Sequence, residues 1–159
     1  MKLISWLAVG ASVLGAAVPP PVRAQGRPLT VTGVRGITFG AVLPGVPRVI
    51  PRTDPANSGQ LDIRGPNQIQ VLLTFILPLT MTGPAGALMP LTFSSADAGY
   101  SQSQSIASQV GFDPRQPFTA TLSNNGRGSV FVGATASPAA NQRAGAYTAT
   151  ITLTVTVLP

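Results

Sequence analysis

The stretch that decides the fold is the last one, residues 147–157, which reads Tyr-Thr-Ala-Thr-Ile-Thr-Leu-Thr-Val-Thr-Val. Starting with the tyrosine, every second residue is apolar or small, and every residue between is threonine. Side chains of a β-strand point to alternate faces, so the pattern predicts one strand with an apolar face and a threonine face. Burial of an aliphatic side chain such as Leu153 contributes roughly 1.5–3 kcal/mol. We therefore expect this strand to be a main wall of the core.

Shorter segments of the same kind precede it. Alternation and turn residues predict strands at residues 28–34, 37–43, 48–52, 60–64, 68–77, 79–82, 89–94, 118–122 and 129–135. The Asn- and Gly-containing turn between the last two predicts a hairpin, residues 98–105 are ambiguous, and residues 106–116 are typical of a loop with one helical turn. We predict an all-β, immunoglobulin-like Greek-key sandwich of about 8–9 short strands, with an up-and-down barrel as the alternative.

The first 24 residues have the pattern of a secretory signal peptide. Lys2 is followed by the apolar run 3–18, by three prolines and by the small-x-small sequence Val22-Arg23-Ala24. We expect cleavage after Ala24 and a single domain over residues 25–159. The predicted location is exported: periplasm, cell surface or extracellular. Membrane contact is expected only through the cleaved signal.

Residues 25–159 contain no His, Cys, Lys or Glu. Eight arginines against four aspartates leave a net charge of +4, and the arginines are scattered, which does not predict a nucleic-acid interface. A Ser nucleophile needs a basic partner that this inventory lacks, and metal ions need clustered ligands. We therefore expect that the protein is not an enzyme and that it has no catalytic residue, no metal site and no cofactor.

The four aspartates fit structural positions. Asp54 and Asp113 each precede proline, which is ordinary turn usage. Asp97 lies among small residues, and Asp62 alternates with two apolar neighbours and should face solvent.

Three motifs carry a resemblance to a known family. They are Ile-Thr-Phe-Gly-Ala-Val-Leu-Pro-Gly at 37–45, Val-Leu-Leu-Thr-Phe-Ile-Leu-Pro-Leu-Thr-Met-Thr-Gly at 71–83, and Ser-Pro-Ala-Ala-Asn-Gln-Arg-Ala-Gly-Ala-Tyr-Thr at 137–148. In order and spacing they resemble a bacterial family of secreted domains of unknown function, which is similar to spore-coat-U-like and fimbrial subunit proteins. The resemblance implies an incomplete immunoglobulin-like sandwich, secretion through a chaperone and usher, and assembly by exchange of an N-terminal donor strand. It implies no catalytic residue.

The two terminal strands are the candidate assembly elements. Leu29, Val31 and Gly33 alternate as a donor strand would, although the same segment also fits the first strand of its own domain. The candidate residues of the last strand are Ile151, Leu153 and Val155. The predicted function is that of a non-enzymatic exported structural protein that assembles by β-strand addition, with self-association or a periplasmic chaperone as partner.

The alternative is a monomeric exported binding module for a glycan or a protein. Its contact surface would be the loop region 96–116. Tyr100 lies there in a Gly/Ser/Gln stretch, so it is the candidate exposed aromatic contact.

Overall fold

The computed structural model describes residues 26–159, and the predicted signal peptide lies outside the described residues. The strands, in chain order, are β1 Thr30–Arg35, β2 Arg48–Ile50, β3 Gly59–Arg64, β4 Gln70–Ile76, β5 Thr80–Thr82, β6 Leu88–Thr92, β7 Ala98–Ser101, β8 Val110–Phe112, β9 Phe118–Thr121, β10 Arg127–Val132, β11 Ala134–Ala136 and β12 Thr152–Val157. Two 3₁₀ turns accompany them, Pro84–Gly86 and Ile106–Ser108. No helix within residues 26–159 is long and apolar enough to cross a membrane.

The strands form three antiparallel sheets. Their orders are β1-β3-β10-β7-β8, β2-β11-β6-β5 and β12-β4-β9. The prediction of an all-β sandwich is confirmed, although the described residues hold twelve strands rather than 8–9. The extra strands are short ones such as β8, in a segment whose sequence is typical of a loop.

The main core lies between the five-stranded and three-stranded sheets. Its fully buried side chains include Ile63, Val71, Leu73, Leu122 and Val130. At one side of this sandwich the core is closed by Phe112 of β8, which stacks on Phe118 of β9 with ring centroids 4.2 Å apart. Because β8 and β9 are the last strands on that side, β1 and β12 are the last strands on the other.

The four-stranded sheet carries a second apolar cluster. Its buried members are Met81, Met89, Leu91, Ala134 and Ala136. The chain reaches this sheet from β10 through Gly133, whose N–H donates to the Asp97 carbonyl at 2.7 Å. A Cβ on Gly133 would collide with the carbonyl oxygen of Ile50, so the switch between sheets requires glycine.

The predicted hairpin of residues 118–122 with 129–135 is wrong. β9 pairs with β4, whereas β10 pairs with β3 and β7, so the two strands lie in different sheets. The turn between them is an arch from one layer to the other, closed by Ser123 N–H to the Arg127 carbonyl at 2.9 Å. Its Asn and Gly residues fit either connection, because both need a tight reversal.

The last strand keeps its predicted alternation but not its predicted place. Leu153 and Val155 are half-buried and the threonines between them are exposed. Among the described residues the strand pairs with β4 alone, and it starts only at Thr152, so the expectation of a main core wall is wrong. Val71 and Leu73 of β4 are fully buried instead, because β4 has a neighbour on each side.

Candidate functional site: an open groove between the first and last strands

One edge of β12 points away from β4, its one partner strand in residues 26–159. The N–H of Leu158 donates to the Gln70 carbonyl at 2.9 Å. Alternate residues of an antiparallel strand bond in opposite directions, so the amides of Leu153, Val155 and Val157 point away from β4. No strand among the described residues pairs with this outer edge. It is a free row of backbone donors and acceptors.

On the opposite layer, β1 is also an edge strand. Its one partner strand in the described part of the chain is β3, in a register that shifts between Gly33 and Arg35. The Arg35 guanidinium then bonds Ser58, with Nε to the carbonyl at 2.6 Å and Nη2 to Oγ at 3.2 Å. This fixes the direction in which the chain leaves β1.

Residues 36–42 continue from β1 without joining a ladder. The prediction of a strand at residues 37–43 is therefore wrong. Thr38 N–H donates to the Asn57 carbonyl at 2.9 Å, and Gly40 adopts a positive φ of 64°. Ile37 and Phe39 are half-buried and pack against the apolar clusters. The alternating apolar side chains that predicted a strand, Ile37 and Phe39, instead line a cavity wall.

Between these elements lie two neighbouring cavities, which together we call the open groove: the space between residues 33–44 and residues 142–151, reaching to Ile151, the residue before β12. Its wide part is a cavity of about 750 Å³ with Met81, Met89 and Leu91 on its floor. Its narrow part is a cavity of about 320 Å³ beside β1 and β3. Ile37 and Ile151 line both parts.

The far wall of the open groove is held by Tyr147. Its OH donates to the Arg143 carbonyl at 2.8 Å and accepts from Gln142 Nε2 at 2.6 Å. Its ring occupies the space that a Cβ on Gly83 would need. The next residue, Thr148, exchanges two backbone hydrogen bonds with Thr82, at 2.8 and 3.0 Å.

The arrangement offers an apolar cavity and, on β12, a row of backbone hydrogen-bonding groups. The wide cavity is lined mainly by apolar side chains, with Arg143 the charged one at its rim. An extended peptide could bond the outer edge of β12 and insert apolar side chains into the cavity, which is the geometry of β-strand addition.

The predicted assembly residues lie beside this groove. Leu29 packs against the main core just before β1, while Val31 is 39% exposed within β1. Gly33 faces Leu61 across the β1–β3 pairing and lines the narrow cavity. Ile151, Leu153 and Val155 are half-buried against the main core, and Ile151 also lines both cavities. The structure thus places residues 30–33 in their own domain's sheet, with Leu29 packed on the core just before it.

Sequence reasoning missed the floor and one wall of the groove. Met81 and Met89 are register partners across β5 and β6, and both are buried. Their alternation with threonine and proline indicated strands, but nothing in it indicated which cavity they would face.

The prediction of Tyr100 as an exposed contact is wrong. Its ring is buried in β7, and its OH donates to the Thr121 carbonyl at 2.7 Å. Burial raises its pKa to about 12. β7 lies between β10 and β8 in its sheet, and the Tyr100 ring packs into the main core, 6.4 Å from the Phe118 ring between centroids, so the strand is buried despite its small and polar residues.

Three aspartates lie in turns. Asp54 accepts from the N–H groups of Ala56 and Asn57, Asp97 from Ser94 N–H, and Asp113 from the Arg115 guanidinium. The Asn57 side-chain amide, followed by these backbone donors, lowers the pKa of Asp54. Hydrogen bonds from Arg115 lower the pKa of Asp113. Within the described chain no three His, Cys, Asp or Glu side chains gather as metal ligands would.

The chain matches no protein-family model and no curated protein sequence. The resemblance to spore-coat-U-like and fimbrial subunits stays a prediction.

Proposed function

We propose that this protein is a non-enzymatic, exported structural subunit that binds an extended strand of another chain in its open groove. The partner strand pairs with the outer edge of β12 and places apolar side chains over Met81 and Met89. The strand comes from a second copy of the chain, or from a periplasmic chaperone before assembly. Repeated head to tail, such a contact is heterologous and need not close on itself, which allows a fibre to form.

The observation that carries the proposal is the direction of the β12 amides. Exposed edge strands normally carry charge, proline or a covering segment, because free edges promote pairing with other chains. β12, whose residues are Thr-Leu-Thr-Val-Thr-Val, has neither charge nor proline, and no strand of residues 26–159 covers its outer edge. An uncharged edge without a partner strand in the described chain fits a binding edge, because the strand directly follows Ile151, which lines the apolar cavity of about 750 Å³.

The test is the size of the exported protein, measured by light scattering beside an unboiled denaturing gel. The variant Val155→Pro removes an amide that points to the free edge, whereas Val155→Ala trims the same side chain and keeps that amide. One lost backbone bond corresponds to about a tenfold weaker association. We expect a ladder that collapses on boiling for the unaltered chain and for Val155→Ala, and a much weaker ladder for Val155→Pro. A single monomer peak for the unaltered chain, with and without residues 29–34, overturns the proposal.

A further inference from the structure

Three arginines converge at one end of the five-stranded sheet. Arg64 ends β3 and Arg127 begins β10, and the two are direct register partners. Partners in an antiparallel pair project from the same face side by side. Arg27 joins them, because its Nη1 donates to the Asn125 carbonyl at 3.3 Å in the turn just before Arg127. All three residues are exposed.

The face that carries them points away from the core. Ile63 and Val130 lie on the core side of β3 and β10 and are fully buried. Arg64 and Arg127 are therefore on the outward side. This surface is distinct from the open groove, so a ligand site here is independent of the proposed function.

No carboxylate within residues 26–159 forms an ion pair with this cluster. The ion pair recorded in that part of the chain joins Arg115 to Asp113. Asp62, two residues before Arg64 and on the same face, accepts instead from neutral donors. These donors are Ser129 Oγ at 2.6 Å, Gln104 Nε2 at 3.0 Å and Gln60 Nε2 at 3.1 Å.

Like charges placed directly opposite each other weaken a sheet. Residues that reduce stability without an internal partner are typical of binding surfaces, where function and stability conflict. The planar guanidinium fork matches the oxygens of a phosphate in a bidentate manner. Three such groups around one turn suit a ligand with more than one negative charge.

We propose that Arg27, Arg64 and Arg127 form a binding site for phosphate groups. The ligand chemistry is a multiply charged phosphate, supplied either by a soluble oligophosphate or by the headgroups of an anionic lipid surface. Arg64 and Arg127 hold the phosphate oxygens from the sheet, and Arg27 adds its charge from the segment that precedes β1.

The experiment titrates the full chain with inorganic pyrophosphate at low salt by calorimetry. The variant Arg64→Gln/Arg127→Gln removes two charges from the cluster. The control Arg48→Gln/Arg143→Gln removes two charges from exposed arginines elsewhere. We expect at least about a tenfold loss of affinity for the first double variant, and less than about a twofold loss for the control.

A second readout separates binding from folding. Pyrophosphate should raise the melting temperature of the unaltered chain, because a ligand that binds the folded state stabilises it. Arg127→Gln should melt at a higher temperature than the unaltered chain without ligand, and should lose most of the ligand-induced rise. A variant that merely misfolds would melt lower.

Vesicles distinguish the two sources. Co-sedimentation with phosphatidylglycerol vesicles but not with phosphatidylcholine vesicles, with the same dependence on Arg64 and Arg127, assigns lipid phosphate as a ligand. Pyrophosphate binding without vesicle binding supports the site and restricts it to soluble phosphates. Absence of pyrophosphate and vesicle binding overturns the proposal. Equal loss of binding in the two double variants also overturns it, because it would reflect net charge alone.

Discussion

Leu158 donates its backbone N–H to the carbonyl of Gln70 at 2.9 Å, and this bond sets the direction of every amide in β12. Thr154 and Thr156 lie four and two residues before Leu158, so their backbone N–H groups also point toward β4. Leu153 and Val155, with half-buried apolar side chains, direct their amides outward. The same residues therefore contribute to the core through their side chains and leave their backbone free.

The alternating direction of the N–H groups along β12 predicts where proline is tolerated. At Val155, proline should cost little more than alanine, since no strand in residues 26–159 pairs with the edge to which the lost N–H points. At Thr156, proline should destabilise the fold by about 1–3 kcal/mol more than alanine, because a β4 carbonyl loses its donor. Urea unfolding of the four variants measures both differences under conditions where the chain is monomeric. Equal differences at the two positions would contradict the assigned direction.

The switch between sheets at Gly133 predicts a sensitive position. Gly133→Ala brings a Cβ against the Ile50 carbonyl and the Arg52 N–H, and should destabilise the fold by about 3 kcal/mol. Gly33→Ala is the matched control, because no atom lies within 4 Å of its added Cβ. The control should change stability by less than about 0.5 kcal/mol. Thermal unfolding of both variants decides between this account and a general intolerance of alanine.

The turn at Asp54 predicts an acid-dependent loss of stability. Hydrogen bonds from the Asn57 side chain and from the backbone lower the pKa of Asp54 below its ordinary value of 3.8. A carboxyl with a lower pKa in the folded state stabilises the fold above its unfolded pKa, and this contribution is lost as the pH falls through the folded pKa. Asp54→Asn should therefore lower the melting temperature at pH 7, and its gap from the unaltered chain should narrow below about pH 3.8. A gap that stays constant with pH would exclude the charge as its cause.

Tyr100 predicts the opposite behaviour in alkali. Burial raises its pKa from 10.0 to about 12. A group whose pKa is higher in the folded state stabilises the fold below its unfolded pKa, and this contribution disappears as the pH rises through the folded pKa. The unaltered chain should therefore lose stability between about pH 10 and 12.

The variant Tyr100→Phe tests this directly. It should be about 1 kcal/mol less stable at pH 7, since the Thr121 carbonyl keeps only the bond from Gln102 Nε2. It should also lose less stability than the unaltered chain across the alkaline range. An identical alkaline loss in both proteins would assign that loss to other groups.

The two-residue period of the strand predicted which side chains face the core, because the face to which Leu153 and Val155 point depends only on their alternation. It could not predict that β12 is the edge strand of its sheet. That depends on which strands pair with one another, and the partner strand β4 is distant in sequence. The prediction for Tyr100 is wrong for the same reason. Its neighbours Gly99 and Ser101 are small and polar, yet β10 and β8 flank the strand.

The pattern of residues along the sequence could not predict the open groove. Ile37 and Phe39 show strand alternation, but they line a wall without a ladder partner. The floor requires Met81, Met89 and Leu91 to come together from β5 and β6. The cavity above this floor forms only when β5 pairs with β6 and when the chain crosses from one sheet to the other at Gly133.

The most direct measurement is residue-specific hydrogen exchange along β12, in dilute monomer and in assembled protein. In the monomer, the amides of Thr154 and Thr156 should be protected, and those of Leu153, Val155 and Val157 should exchange rapidly. In assembled protein, the second set should become protected as a partner strand pairs with the free edge. If the second set is already protected in the monomer, or still exchanges rapidly after assembly, the open groove is not where another chain binds.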